Sequence, residues 1–489
     1  MDQIQPNQMP YEEERPAPQI VPVQVSNTGQ SAAPPQTITA SGRKKPPFAK
    51  LLFIMLLIIF LVGIIFVIAK FVIPKTGDVV DKREIVWWGL WEDEEIIAPV
   101  IKDYESANPG VAILYQKSDK EDYRERLVNS LARGQGPDIF RIHSSWIPMF
   151  GSELAPAPKN ILSSEEFNNT FYQVAVDDLV GTQGPLALPL GYDGLAMLVN
   201  EEMFNTYGVQ IPTDWNNLRN VAKYLTIKNN QGIIIQSGAS LGTTSNVDHW
   251  QEIVALLMIQ NGGNPNKPND KAGRGAQALS FYKQFSDVDQ VWDSTLPNST
   301  VAFATGRVAI YFGPSWRVLE IIERNPNLKF KVVPVPQVPK IDEQVPDITY
   351  ASYWVEGVWR KSKNVDEAWK FLKFLSEKEN LAKLYENASK YRPFGEPYPR
   401  QDMREILLKN PILEGFVRLA PNAKSGFLHS RTFDGKSGIN TSLSQYYEDA
   451  LNSIASGGEA TVQMNTLSSG VQQVLARYGL ADPAPPTKQ

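Results

Sequence analysis

Four tryptophans stand at changes of secondary structure, each beside a hydrogen-bonding residue. Trp91 follows the apolar run IVWWGL and precedes Glu92; Trp146 follows DIFRIH and Ser144-Ser145. Trp316 stands two residues past Gly313-Pro314, and Trp354 lies in SYWVEG. The chemistry such a set can do is recognition. An aromatic plane buries the C–H face of a sugar ring, while carboxylates, amides and backbone groups take its hydroxyls. Packing is the commoner role for tryptophan. Trp250, on a helix face with Ile253, Val254 and Leu257, reads as core, as do Trp87, Trp215 and Trp369. The run Glu92–Glu95 opens a helix, where negative charge suits the dipole. Glu92, next to Trp91, is also placed to accept from hydroxyls. Ser145 either donates to a ligand or caps the short helix that follows.

Bond-making chemistry has little support. His143, His249 and His429 are far apart in the chain and lack metal-ligand spacing. There is no G-x-S-x-G or G-K-S/T motif, and GQGPDI is a helix-ending turn. The chain has no cysteine, so disulfides, thiolate metal sites and an acylated lipoprotein cysteine are excluded. A glycosidase needs two opposed carboxylates, which spacing alone does not place. The expectation is no catalytic residue, no metal and no cofactor.

The elements that must position the tryptophans read as α/β. EIVWW, VAILYQ and the run from Asp138 are strands; helices with Ile97, Ile101 and Tyr104, then Tyr123, Leu127 and Leu131, on one face lie between them. This alternation predicts parallel βαβ units and a doubly wound sheet. A second α/β stretch has the strand GIIIQSG and the helices WNNLRNVAKYL and VDHWQEIVALLMIQ. AFATGRVAIYFGPSW reads as a helix end, a strand over Val308–Phe312 and a turn at Gly313-Pro314. Ligands of open α/β sheets sit beyond the carboxyl ends of the strands, where Trp91, Trp146 and Trp316 fall.

The 489 residues suffice for two or more domains. Residues 1–47 hold nine prolines and little aliphatic content, so 1–50 is predicted to be a disordered tail, ending in Arg43-Lys44-Lys45 and Lys50. Leu51–Ala69 is nineteen residues without a charge, enough to cross most of a hydrocarbon core of roughly 30 Å. With the basic cluster before it, 51–73 is predicted to be an uncleaved transmembrane helix, N-terminus cytoplasmic and the rest outside. The run is too long, and its leader too long, for a typical signal peptide. Residues 74–83 form a linker. Residues 84–489 hold 39 of the 48 basic and 47 of the 53 acidic residues, a formal charge of −8, which argues against nucleic acid as a partner.

The strand IVWWGLWE, DYESANPGVAI, GQGPDIF with SSWI, ALPLGYDGLAMLVNEEMFNTYGVQIPTDWNNL, LLMIQNGGN, AFATGRVAIYFGPSW and KSKNVDEAWKFLKFLSEKEN together resemble the extracellular solute-binding proteins of ABC transporters. The group concerned includes the maltose- and oligosaccharide-binding proteins, and the resemblance spans about residues 84–400. It implies a two-lobed periplasmic-binding-protein-like fold of type II. Lobe 1 would hold 84–192 and 340–385, and lobe 2 would hold 194–330 and 395–480. Crossings would lie near Tyr192-Asp193, Val332–Pro339 and Arg392-Pro393. It implies a saccharide closed between the lobes by Trp91, Glu92, Ser145, Trp146, Tyr192, Asp193, Trp316 and Trp354, with Arg392 either tying a crossing or facing the cleft. It further implies a monomer that delivers its ligand to ABC permease subunits. An anchored sensor or adhesion ectodomain, or a glycan-processing enzyme, would be the alternatives.

Overall fold

In a computed structural model that describes residues 55, 57–64, 82–340, 342 and 344–481, two five-stranded sheets frame the larger of the chain's two units, Val80–Gln489. The smaller unit is Met1–Val79, of which 57–64 is helical. The tail expected over 1–50 lies outside the described residues, as does most of the expected membrane segment 51–73. Among the described residues no helix is long and apolar enough to cross a membrane.

Runs rich in β-branched and aromatic residues form the strands. These are β1 (Arg83–Gly89), β2 (Val111–Lys117), β3 (Ile139–His143), β4 (Ala187–Pro189), β5 (Ala196–Asn200), β6 (Ile227–Lys228), β7 (Ile234–Ala239), β8 (Val308–Gly313), β9 (Phe330–Val333) and β10 (Trp354–Val358). The first sheet has the order β2-β1-β3-β10-β4, the second β9-β5-β8-β7-β6. β1 pairs parallel with β2 and β3, as the alternating strands and helices require. β10 departs from the predicted parallel sheet. It enters from the second half and runs antiparallel to β3 and β4. The second sheet is mixed: β8 is parallel to β7 and antiparallel to β5.

The main helices are α1 (Glu94–Ala107), α2 (Tyr123–Ala132), α3 (Trp215–Leu225), α4 (Trp250–Gln260), α5 (Arg274–Asp287), α6 (Ser315–Arg324), α7 (Val365–Leu375), α8 (Lys378–Ala388), α9 (Ile439–Ala455) and α10 (Ala460–Ala476). α1 buries Ile96, Ile97, Val100, Ile101 and Tyr104. Each such side chain contributes roughly 1.5–3 kcal/mol of hydrophobic stabilisation. α3 starts where the Asp214 carboxylate accepts the Asn217 N–H. β7 lies directly on α3, because a Cβ on Gly238 would fall 1.8 Å from the Ala222 carbonyl oxygen. α4 begins at Trp250, later than the predicted Val247, since His249 is left-handed (φ 61°) and cannot be in the helix.

The halves are joined by short peptides that run side by side. The chain leaves β4 at Pro189 and enters β5 at Ala196. It returns through 349–353, with the Leu195 N–H donating to Tyr350 O and the Ser352 N–H to Asp193 O, 2.9 Å each. The proline-spaced Val332–Pro339, expected as this crossing, still runs along the second half. The Gln337 N–H donates to Thr213 O, and the Trp215 N–H to Gln337 O. After α8 the chain passes Arg392-Pro393, and the Tyr192 N–H donates to Pro397 O at 2.8 Å.

Candidate functional site

A cavity of about 600 Å³ lies between the two halves. Its walls come from the ends of β1 and β3, the joining peptides, the starts of α4 and α6, and the segment 430–433. Among the described residues six non-glycines have positive φ. Four of them, Trp91, His249, Arg431 and Phe433, line this cavity. Left-handed backbone costs such residues energy, and its concentration here marks a functional site.

Two of the expected tryptophans are exposed on the cavity wall. Trp91 is 37% exposed, with Trp354 edge-on at 5.6 Å and Phe433 at 6.0 Å. Trp316 is 40% exposed, and the Arg317 guanidinium lies 4.3 Å from its ring centroid. Trp354 lines the wall half-buried. As the first residue of the antiparallel β10 it pairs with His143, the last of β3, so both sit at the same sheet edge.

Trp146 and Ser145 are behind the wall instead. Trp146 is fully buried, stacked on Phe150 and edge-on to Trp354 at 5.5 Å. The 3-10 turn Ser144–Trp146 folds it back into the core. Ser145 Oγ, also buried, donates to Asn440 Oδ1 at 2.9 Å and lies 2.7 Å from His143 Nδ1.

The polar candidates divide likewise. Glu92 Oε1 accepts from Arg392 Nη2 at 2.9 Å, which settles that Arg392 both braces this wall and lines the cavity. Glu92 Oε2 is buried with no hydrogen-bond partner, as is the Tyr192 hydroxyl, and both residues line the cavity. Asp193 lines it too, but its carboxylate is occupied. It accepts the Gly194 N–H at 2.7 Å and the Ser315 N–H and hydroxyl at 2.9 Å each. It thus ties the first crossing to the start of α6, the helix that carries Trp316. Burial pushes Asp193 up to about 7 against the pull of these donors.

Sequence spacing did not reveal a cluster opposite. All three histidines, distant in the chain, converge here. The His143 and His429 rings are 4.9 Å apart, His429 Nδ1 is 4.0 Å from Glu252, and His249 Nδ1 is 3.8 Å from Glu252. Burial lowers both His143 and His429 from the ordinary histidine value, His143 strongly. Beside them Arg317 Nη2 pairs with Asp248 at 3.1 Å. Burial raises Asp248, but Arg317 and the Thr300 hydroxyl outweigh it and hold the carboxyl at about 2. Arg317 follows Trp316 in the chain, and that neighbour was the signal the sequence offered; Asp248 and His249 were read as part of the helix that in fact begins at Trp250. Among the described residues no group of three histidine or acidic side chains is placed to hold a metal ion. The cavity wall carries six carboxylates and six lysine or arginine side chains, so it is electrically balanced.

Comparison with known proteins agrees with this geometry. The sequence profile of a family described as bacterial extracellular solute-binding protein matches residues 100–402. A binding protein of Brucella abortus is 23% identical over 332 residues, 66% of this chain and 78% of its own. The maltotriose-binding protein of Pyrococcus abyssi is 20% identical over 355 residues, 70% and 72% of the two chains. In three dimensions the chain is similar to the sugar-binding protein of Xanthomonas citri. The TM-score is 0.65 at 16% identity, with 81% of this chain and 98% of that one covered.

Proposed function

This chain belongs to the bacterial extracellular solute-binding proteins, and on that premise we propose that it captures a neutral saccharide between its two lobes and delivers it to an ABC importer. The observation that carries the reading is the pair of exposed rings, Trp91 and Trp316, on the wall of one cavity between the sheets. The aromatic planes suit the C–H face of a sugar. Glu92 Oε2 and the Tyr192 hydroxyl supply free hydrogen-bonding capacity for its edge. The balance of six acids and six bases favours a ligand without net charge. The Pyrococcus relative named for maltotriose and the Xanthomonas neighbour named for sugar support the same class.

A ligand touching both lobes favours the closed state, because it can shift the equilibrium only by differential contact. The expected result is therefore a neutral oligosaccharide that raises the melting temperature and contracts the protein in X-ray scattering. At a hundredfold excess over Kd the stabilisation is roughly 2.7 kcal/mol. Scattering curves unchanged by every saccharide that binds would reject the hinged mechanism.

The anchor is part of the same proposal. Leu51–Ile73 stays attached, holding the lobes outside the membrane, because its apolar run is long and its basic flank precedes it. Mass spectrometry of the membrane-bound protein is expected to find the N-terminus ahead of residue 51. A mature chain beginning at Lys70 would refute this.

A further inference from the structure

His249 is buried at the start of α4, with its ring edge-on to Trp316 at 5.4 Å. Its hydrogen bonds admit one direction. Arg317 Nε lies 2.9 Å from His249 Nε2, and a guanidinium can only donate, so Nε2 is the acceptor and carries no proton. The ring proton is then on Nδ1, which faces Ser430 Oγ at 2.9 Å. The Ser430 hydroxyl in turn donates to Glu252 Oε1 at 2.9 Å. Arg317, Asp248 and Trp316 hang on the far end of this chain: Arg317 pairs with Asp248 at 3.1 Å and backs the Trp316 ring at 4.3 Å.

We infer that His249 is a positioning residue of the binding site: its ring nitrogen accepts from Arg317 and so holds Arg317, and through it the Trp316 platform. A side chain without an acceptor at the Nε2 position leaves the buried Arg317 Nε–H unpaired. The charged groups facing the ring oppose one another. Glu252 on α4 lies 3.8 Å from Nδ1 and Asp248 is the adjoining residue, while Arg317 on α6 faces them. On the segment 429–431, His429 is near Glu252 and edge-on to His143, while Arg431 pairs with Asp248 at 3.1 Å.

The affinity arm rests on the saccharide reading above; a second arm does not. In the full chain, solubilised in detergent and labelled with 5-fluorotryptophan, the Trp316 resonance is assigned by its loss in Trp316→Phe. The resonance is expected to move in His249→Leu, which has no acceptor for Arg317, and to keep its wild-type position in His249→Gln, whose amide oxygen keeps one. Saccharide affinity at about pH 8 should fall about tenfold in His249→Leu, which strands the Arg317 donor, and stay within about threefold of wild type in His249→Gln. A resonance that moves as far in His249→Gln as in His249→Leu, or that moves in neither, overturns the inference. So does an equal loss of affinity in the Gln and Leu variants. If the wild type binds no saccharide, the proposed function falls, and the resonance alone decides the role of His249.

Discussion

Trp316→Ala is expected to weaken saccharide binding by about five- to 150-fold while leaving the fold nearly intact. The loss corresponds to about 1–3 kcal/mol, the usual cost of removing an aromatic anchor from a binding site. The fold should survive because Trp316 is 40% exposed and α6 does not depend on it. That helix is held by Val318 and Ile321, both fully buried, and by the Asp193 carboxylate on Ser315. The residual contact of the ring is with Arg317 and His249, which bond each other and Asp248 without it. Were Trp316 a core residue, its removal would leave a cavity and cost about 3–5 kcal/mol of stability. Melting temperature and binding constant, measured on one preparation, separate the two. A variant that melts much lower yet binds normally when folded would show that the ring packs the lobe and reads no ligand.

The local part of this site is legible in the sequence. Gly313-Pro314 ends a strand and Trp316 starts a helix, and both features can be read from a dozen residues. The strands EIVWW and VAILYQ and the helix between them are equally plain, because each carries its own periodicity. Trp146 looks the same by these rules, since it too follows a strand end. What separates it from Trp316 is a single 3-10 turn that rotates the ring inward, and no local pattern states that rotation. Trp354 shows the converse. It opens its strand, yet it reaches the cavity because β10 runs antiparallel beside β3, which is a property of topology.

The histidines were illegible for a stronger reason. His143 ends a strand of the first sheet, His249 precedes a helix of the second, and His429 comes from the return segment. Each is polar and isolated in its own stretch, so spacing gives no hint of company. They meet because the end of β3, the start of α4 and the segment before α9 pack against one another beside the cavity. Likewise Val332–Pro339 has the composition of a crossing. Its backbone groups, however, find partners along the second half, at Thr213 and Trp215, before the chain turns back.

Beneath the cavity a buried ion pair sets a second large effect. Glu356, in the middle of β10, has no solvent exposure. Its Oε1 accepts from Arg141 Nε at 2.6 Å and its Oε2 from the Trp87 indole at 2.9 Å. The three residues lie on β10, β3 and β1, so the carboxylate joins three strands of the first sheet, and Arg141 reaches the cavity wall. Glu356→Ala leaves a buried guanidinium without its counter-charge and an indole N–H without an acceptor. Breaking such a pair costs about 3–5 kcal/mol, because the remaining charge is not compensated. The expected result is an unfolding free energy lowered by that amount, seen as a lower denaturation midpoint at unchanged slope. The pair itself is expected to be worth much less than this, since taking two charges out of water offsets most of their attraction. The double variant Arg141→Met, Glu356→Leu should therefore recover most of the stability lost in Glu356→Leu alone, giving a large coupling in a cycle with Arg141→Met. If the double variant is as unstable as the sum of the single ones, the loss comes from packing in β10 and not from a stranded charge.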